Sequence, residues 1–238
     1  KMVLELVTAT GQTAPGAEGL NGAANFMVGK LDENGAQATA QTAKVFLGLQ
    51  VQCTQCHNHP FNDWKQKKFW EFNAFFRQTK ALRKFVPGTR DVASAELINQ
   101  DFAGEGSGSD ATEAIIYYEL RNGLLESAFP VFTDGTAISK SGYLSDSDRR
   151  TELGKMIVKS ENMDKTIANR MWAHFMGYGF TKPVDDMGPH NPVTHPALLT
   201  YLGQEVRKNS FNLKELIRWI VLSEPYSLSS RGVPGNKS

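Results

Sequence analysis

Cysteine is scarce in this chain: two residues in 238, both inside the stretch VQCTQCHNHPF at 51–61. A disulfide framework of the kind that staples small secreted domains is excluded, because one pair can close only one loop. A second Cys-x-x-Cys half-site is missing as well, and structural zinc sites draw their ligands from two separated segments. No run approaches the roughly 18 apolar residues of a membrane span. No charged-then-apolar start resembles a signal peptide. The opening KMVLELVTATG reads as the middle or end of a helix, so the chain is expected to be a processed or excised fragment. Charge of one sign is also lacking. Lys and Arg number 26 against 25 Asp and Glu, a formal net charge of +1, which gives no electrostatic reason to expect nucleic acid or an anionic membrane as partner. The one dense basic stretch, KQKK at 65–68, reads as a solvated helix edge. There is no internal repeat, no serine-nucleophile motif, no phosphate-binding glycine loop and no His-Glu metalloprotease pattern.

What is present is ordinary in amount and uneven in distribution. Hydrophobic residues make up 40% and charged residues 21%, as in soluble globular proteins, and the length suffices for one substantial core or two modest ones. Apolar residues at 2, 3, 4, 6 and 7 predict a short first helix. Ala36, Ala40, Ala43 and Leu47, with Phe46 beside them, predict another over about 35–50. Residues 61–76 then hold seven aromatics, Phe61, Trp64, Phe69, Trp70, Phe72, Phe75 and Phe76. Positions 69, 72, 75 and 76 share a helical face and predict an aromatic wall behind the cysteines.

From about 83 to 113 the periodicity is lost, and the stretch ends in AGEGSGSDA, a loop or linker. AIIYYEL-RNG-LLESAFPVF predicts a hairpin about Asn122-Gly123. Helices follow, marked by a stripe of Met163, Ile167, Met171, His174 and Phe175, by Thr194 ahead of Pro196, and by a capping box at Asn212–Glu215. The expected class is mainly α, with a small antiparallel β-hairpin and a C-terminal helical region. The expected segments are 1–82, 83–140 and 141–238, the last packing on the first.

Cys53, Cys56 and His57 admit three chemistries. In the first, the two thiols add across the vinyl groups of a haem and His57 reaches the iron as proximal ligand. In the second, Cys53 and Cys56 are a redox dithiol, which usually sits at a strand-to-helix turn in a βαβ setting that this segment lacks. In the third, Cys53, Cys56, His57 and His59 hold zinc, although all four lie within seven residues. The aromatics Phe61, Trp64 and Trp70 favour haem, since a porphyrin needs a wide apolar pocket. His59 is too close in sequence to reach the opposite face of the same porphyrin and suits a supporting hydrogen bond.

Three stretches carry a family resemblance. FLGLQVQCTQCHNHPFNDWKQKKFWEFNAFF, with GLNGAANFMVGK upstream, resembles the planctomycete cytochrome c family, large secreted or surface proteins. NRMWAHFMGYGFTKPVDDMGPHNPVTHPALLTYL and LKELIRWIVLSEPYSLSSR resemble the partner domain usually found downstream in the same proteins. The resemblance implies one covalent haem c on Cys53, Cys56 and His57, and a periplasmic, cell-surface or extracellular location. It implies no reaction.

The distal iron ligand is left open among His174 on the apolar stripe and Met187 and His190 in the PVDDMGPHNP loop. His195 reads as capping structure, and Met163, Met171 and Met176 as core filler. Asp185 and Asp186 are expected to serve as an N-cap, to pair with an arginine such as Arg170, or to bind calcium, rather than to act as an acid/base pair. The reading that follows is an extracytoplasmic monohaem c-type cytochrome, an electron carrier with a redox partner protein and scope for homo- or hetero-oligomeric assembly. Its rivals are a peroxidase-like haem enzyme with an open sixth site and an assembly module with structural haem.

Overall fold

The computed structural model describes residues 1–228 and contains two compact units, one of residues 1–160 and one beginning at Glu161. The class is mixed α/β rather than mainly α: helix makes up 44% and strand 12%, with small antiparallel sheets. The last residues of the quoted C-terminal match, 229–231, lie outside the described residues.

The first unit opens with α1 (Met2–Thr8), β1 (Gly11–Gln12), α2 (Asn25–Val28) and α3 (Asp32–Thr42), which runs on into a π turn over Ala43–Leu47. Ala36, Ala40, Ala43, Phe46 and Leu47 are all buried, so the predicted apolar face is the packed one. A 3₁₀ turn (Gln52–Gln55) and α4 (Gln66–Asn73) follow, then β2 (Thr79–Phe85), β3 (Val92–Asn99), β4 (Ile116–Glu119), β5 (Leu125–Ala128) and α5 (Arg149–Lys159).

The stretch expected to be linker from about 83 holds the end of one strand and the whole of another before it becomes loop. β2 and β3 pair antiparallel from Thr79↔Asn99 to Phe85↔Val92, and β1 adds to the far edge of β3, giving the order β1-β3-β2. On β3 only Ala95 and Leu97 are buried. The inward face is therefore short and made of small residues, and β2 spends its outward positions on Lys80, Leu82 and Lys84. Little alternation is left to read. The hairpin at Asn122-Gly123 is as predicted: β4 and β5 pair from Ile116↔Ala128 to Glu119↔Leu125, and Gly123 takes φ +80°. Its inner face, Ile116 and Tyr118, packs against Ala74 and Trp70, so the hairpin belongs to the core of the first unit.

Two adjacent arginines at the start of α5 are completely buried. Arg149 donates from Nη1 to the Ala74 carbonyl (3.0 Å) and from Nη2 to those of Ala114, Lys140 and Ser141 (3.2, 3.1 and 3.3 Å). Arg150 donates to the carbonyls of Val7 and Ala9 (3.0 and 2.9 Å) and to Asn99 Oδ1 (2.6 Å). Burial lowers both pKa values to about 10, which leaves both charged at neutral pH. Backbone dipoles answer the charge of Arg149 in place of a carboxylate.

The second unit consists of α6 (Glu161–Met176), α7 (Pro196–Lys208), α8 (Leu213–Val221) and α9 (Glu224–Ser227). Its core is Ala168, Phe180, Leu199, Leu202, Val206, Leu216 and Ile220. As predicted, Asn212 caps α8, accepting from the backbone N–H groups of Lys214 and Glu215. The loop after α6 is fixed by the buried Asn169. Its amide donates to Thr181 Oγ1 and to the Val184 carbonyl, both at 2.9 Å, and accepts from Phe180 N–H at 2.6 Å. Gly179 is required there, since a Cβ would stand 2.7 Å from Asn169 Oδ1. Arg207 grips Asp164 in a two-point pair at 2.6 and 2.8 Å.

Replacing Arg149 by Leu strands four carbonyls and is expected to cost about 3 kcal/mol or more. Arg149→Lys is expected to recover only part of this, since an ammonium cannot span the same set. Urea unfolding measures both, and an unchanged midpoint in Arg149→Leu would show that the cage is dispensable. In the second unit, Asn169→Ala is expected to lose about 1–3 kcal/mol by the same assay.

Candidate functional site

The cysteine segment begins where the π turn stops. Gly48 takes the left-handed conformation (φ 62°, ψ 37°) and turns the chain out of the helix. Val51 and Thr54 are buried, and Thr54 Oγ1 donates to the Val51 carbonyl at 2.6 Å. With these two residues as anchors, the 3₁₀ turn leaves Cys53 and Cys56 exposed and not joined in a disulfide. His57 follows, half-buried, with Nδ1 2.6 Å from the Asn58 carbonyl. A carbonyl can only accept, so Nδ1 is the donor in this bond.

A second layer of bonds holds this turn. Gln66, buried in the middle of the KQKK run, splits its amide N–H groups between the Gln55 carbonyl (3.1 Å) and the Glu119 carbonyl (2.9 Å). Trp70 Nε1 donates to the same Gln55 carbonyl at 3.0 Å. The Trp70 ring stacks on Tyr118 with centroids 5.9 Å apart and planes 12° apart. Burial, and after it the carboxylates of Glu126 and Glu71, hold the Tyr118 phenol above its ordinary pKa. One glutamine thus clips the hairpin to the cysteine turn, and one tryptophan braces both.

Between turn and hairpin lies an open cleft of about 580 Å³, lined by His57, Asn58, Pro60, Gln66, Leu120, Arg121 and Asn122. Volumes of roughly 300–1,000 Å³ are typical of small-molecule and cofactor sites.

The predicted aromatics divide. Phe69, Phe72, Phe75 and Phe76 are fully buried, and the Phe72 ring packs on those of Phe75, Phe76 and Phe132. That face builds the core of the unit and does not line the cleft. Phe61 is 75% exposed beside the motif. Trp64 is half-buried, with Lys68 Nζ 5.3 Å from its ring centroid. His59 Nδ1 accepts from Phe61 N–H at 3.1 Å, a turn-stabilising bond.

The three distal candidates all belong to the second unit. His174 is exposed on α6, edge-on to Phe175. Met187 packs against the core. His190 Nε2 lies 3.1 Å from the buried Asp186 carboxylate, whose other oxygen accepts from Gly188 N–H. Asp185 has the arginine partner expected of it: Arg170 Nε at 2.7 Å. Among the described residues, no group of three or more His, Cys, Asp or Glu side chains gathers as a metal site, and no helix is long and apolar enough to cross a membrane.

The residues that reading by motif passed over are Gln66 and the hairpin turn 120–122. The signal for Gln66 was a lone neutral amide in a run of lysines. The turn carried none, because its role comes from tertiary packing.

Residues 5–81 match the family model PSCyt2, described as a protein of unknown function (DUF1549). Residues 149–238 match PSD1, likewise described as a protein of unknown function (DUF1553). Both families are typical of planctomycete-type proteins, and neither description names a cofactor. No curated protein and no solved structure matches the chain.

Gln66→Leu removes both clip bonds and leaves the Glu119 carbonyl without this donor, while the Gln55 carbonyl keeps Trp70 Nε1. The expected loss is about 1–2 kcal/mol, with faster amide exchange concentrated in 116–128. Uniform exchange across the unit would contradict the clip.

Proposed function

We propose that the chain is an extracytoplasmic monohaem c-type cytochrome, its haem bound covalently through Cys53 and Cys56 with His57 as proximal iron ligand. The observation that carries this reading is the bonding of His57. An imidazole that must bind iron through Nε2 is best oriented by an Nδ1–H bond to a backbone carbonyl, and the Asn58 carbonyl accepts at 2.6 Å. Both thiols are exposed, Cys53 within the 3₁₀ turn and Cys56 at its end, and an open cleft lies beside the imidazole. Phe61, an aromatic largely open to solvent at the motif's edge, gains a surface to pack on once a porphyrin is attached.

The bound haem supplies one-electron chemistry; the chain's own residues do the positioning. Cys53 and Cys56 anchor it, His57 sets the axial direction, and Gln66 and Trp70 hold the turn rigid beneath. Export from the cytoplasm, and a redox partner protein, belong to the same proposal.

A second reading is favoured by one observation. Among the described residues lining the cleft, His57 is the only His or Met. Where no sixth protein ligand is supplied, the sixth site is open and small ligands such as peroxide can bind, which is the chemistry of a haem enzyme.

Intact mass of protein produced with cytochrome c maturation machinery tests the proposal directly. The wild type is expected to gain the mass of one haem, and Cys53→Ala/Cys56→Ala none; a wild type without the increment ends the haem reading. A reduced absorbance spectrum unmoved by carbon monoxide supports the carrier, and a shifted one supports the open site.

A further inference from the structure

The near-zero net charge of the whole chain hides one local excess. In the β2–β3 ribbon, residues 79–92 carry Lys80, Arg83, Lys84 and Arg90 against Asp91 alone. Arg83 is answered by Asp32 at 2.9 Å. Lys80, Lys84 and Arg90 are exposed and make no ion pair among the described residues. The ribbon is anchored at its base, where Thr79, Ala95 and Leu97 are buried. Toward the tip, every residue from Lys84 to Ala93 is exposed. Among them are Phe85 (55%), Val86 (40%) and Val92 (49%). Phe85 and Val92 are cross-strand partners, so their side chains stand together on one face. The turn between them is fixed. Val86 N–H donates to the Asp91 carbonyl at 2.8 Å, Thr89 N–H to the Val86 carbonyl at 3.0 Å, and Asp91 N–H to Thr89 Oγ1 at 3.1 Å. Lysines along an open strand edge are explained by protection against edge-to-edge pairing. Three apolar side chains held in water at the tip are not, and exposed apolar groups rimmed by charge mark contact surfaces. The tip also lies outside both family-matched stretches, 5–81 and 149–238.

We infer that this tip docks the protein on an anionic lipid bilayer: Phe85, Val86 and Val92 enter the boundary between headgroups and acyl chains, and Lys84 and Arg90 meet lipid phosphates. The inference does not depend on what Cys53 and Cys56 hold. Shape argues for a bilayer over a protein partner. A narrow convex tip offers far less than the roughly 800 Å² per partner of a stable protein interface, whereas a fluid boundary closes around whatever enters it. A nucleic acid would use the cations and leave Val86 and Val92 in water. Charge then selects the kind of bilayer. A strand rises about 3.3 Å per residue, so Lys84 stands one step behind Phe85, at headgroup level once the ring is inserted. Its flexible stem can lie along the apolar layer while the ammonium stays among the phosphates. Lys80, further back on the same strand, adds to an attraction that salt screens.

Co-sedimentation of the full chain with phosphatidylcholine vesicles, with and without phosphatidylglycerol, tests this. Wild type is expected to bind the vesicles that contain phosphatidylglycerol, to ignore phosphatidylcholine alone, and to be released by high salt. K84Q/R90Q is expected to bind about 30-fold more weakly, for two charges removed, and F85S/V86S about tenfold or more. All four positions are exposed, so urea midpoints are expected to stay at the wild-type value. In F85W the added indole is expected to shift its emission to the blue with the same vesicles. Wild type that fails to bind phosphatidylglycerol vesicles overturns the inference, as does either double variant binding them as wild type does. Equal binding to phosphatidylcholine alone overturns it, and so does F85W emission that the vesicles leave in place, since cations alone would then make the contact. A wild-type dimer that F85S/V86S abolishes, without vesicle binding, assigns the tip to a second copy and overturns it as well.

Discussion

The first unit depends on how a short stretch of sequence answers two buried charges. Arg149 and Arg150 sit where α5 begins, and between them they bind carbonyls from the end of α1, the turn after α4, and the loops at 114 and 140–141, with the side-chain oxygen of Asn99 at the end of β3. A buried guanidinium without donors' partners is among the most expensive things a fold can contain. Here the cost is offset by carbonyls at a helix end, in a 3₁₀ turn and in loops. The arginines serve these segments as donors, and the segments serve the arginines as acceptors. The sheet, the hairpin and the aromatic helix are thus joined by a polar centre as well as by an apolar core.

This arrangement explains what could be read from the sequence and what could not. The helical face Ala36, Ala40, Ala43, Leu47 was legible because periodic burial leaves a periodic pattern. So was the Asn122-Gly123 hairpin, whose turn needs a residue that tolerates positive φ. The cap at Asn212 was legible for a similarly local reason. The β2–β3 pair was not: its buried positions are few, and its exposed positions mix Lys80 and Lys84 with Leu82, Phe85 and Val92, so inside and outside do not alternate by polarity. Nor did anything local separate Arg149 and Arg150 from surface charge. By residue type they belong outside, and only the three-dimensional supply of carbonyls places them inside.

At the candidate site the same division holds. Cys53, Cys56 and His57 stand out in the sequence as a Cys-x-x-Cys-His spacing, and the structure puts both cysteines at the surface. The four phenylalanines after them were legible as apolar but not as core, since a buried aromatic face looks the same whether it lines a pocket or fills an interior. The structure gives them to the interior and leaves Trp70 and Gln66 as the residues that touch the motif. Support for a site thus came from an amide in a lysine run and from a hairpin more than 50 positions away. Tertiary neighbours of this kind leave no mark in the motif itself.

The spacing along the chain of the arginine contacts has a kinetic meaning. Val7 and Ala9 accept from a guanidinium 143 and 141 residues later, and β1 meets β3 only after more than 80 intervening positions. Contacts of such span close large loops, and their entropy is lost before any packing rewards it. The π turn, the 3₁₀ turn and α4 around the cysteines are by contrast local and can form as soon as the segment exists. On a chain emerging from its N-terminus, the segment that carries both thiols precedes by some 60 positions the hairpin that clips it, and by nearly 100 the arginines that close the unit.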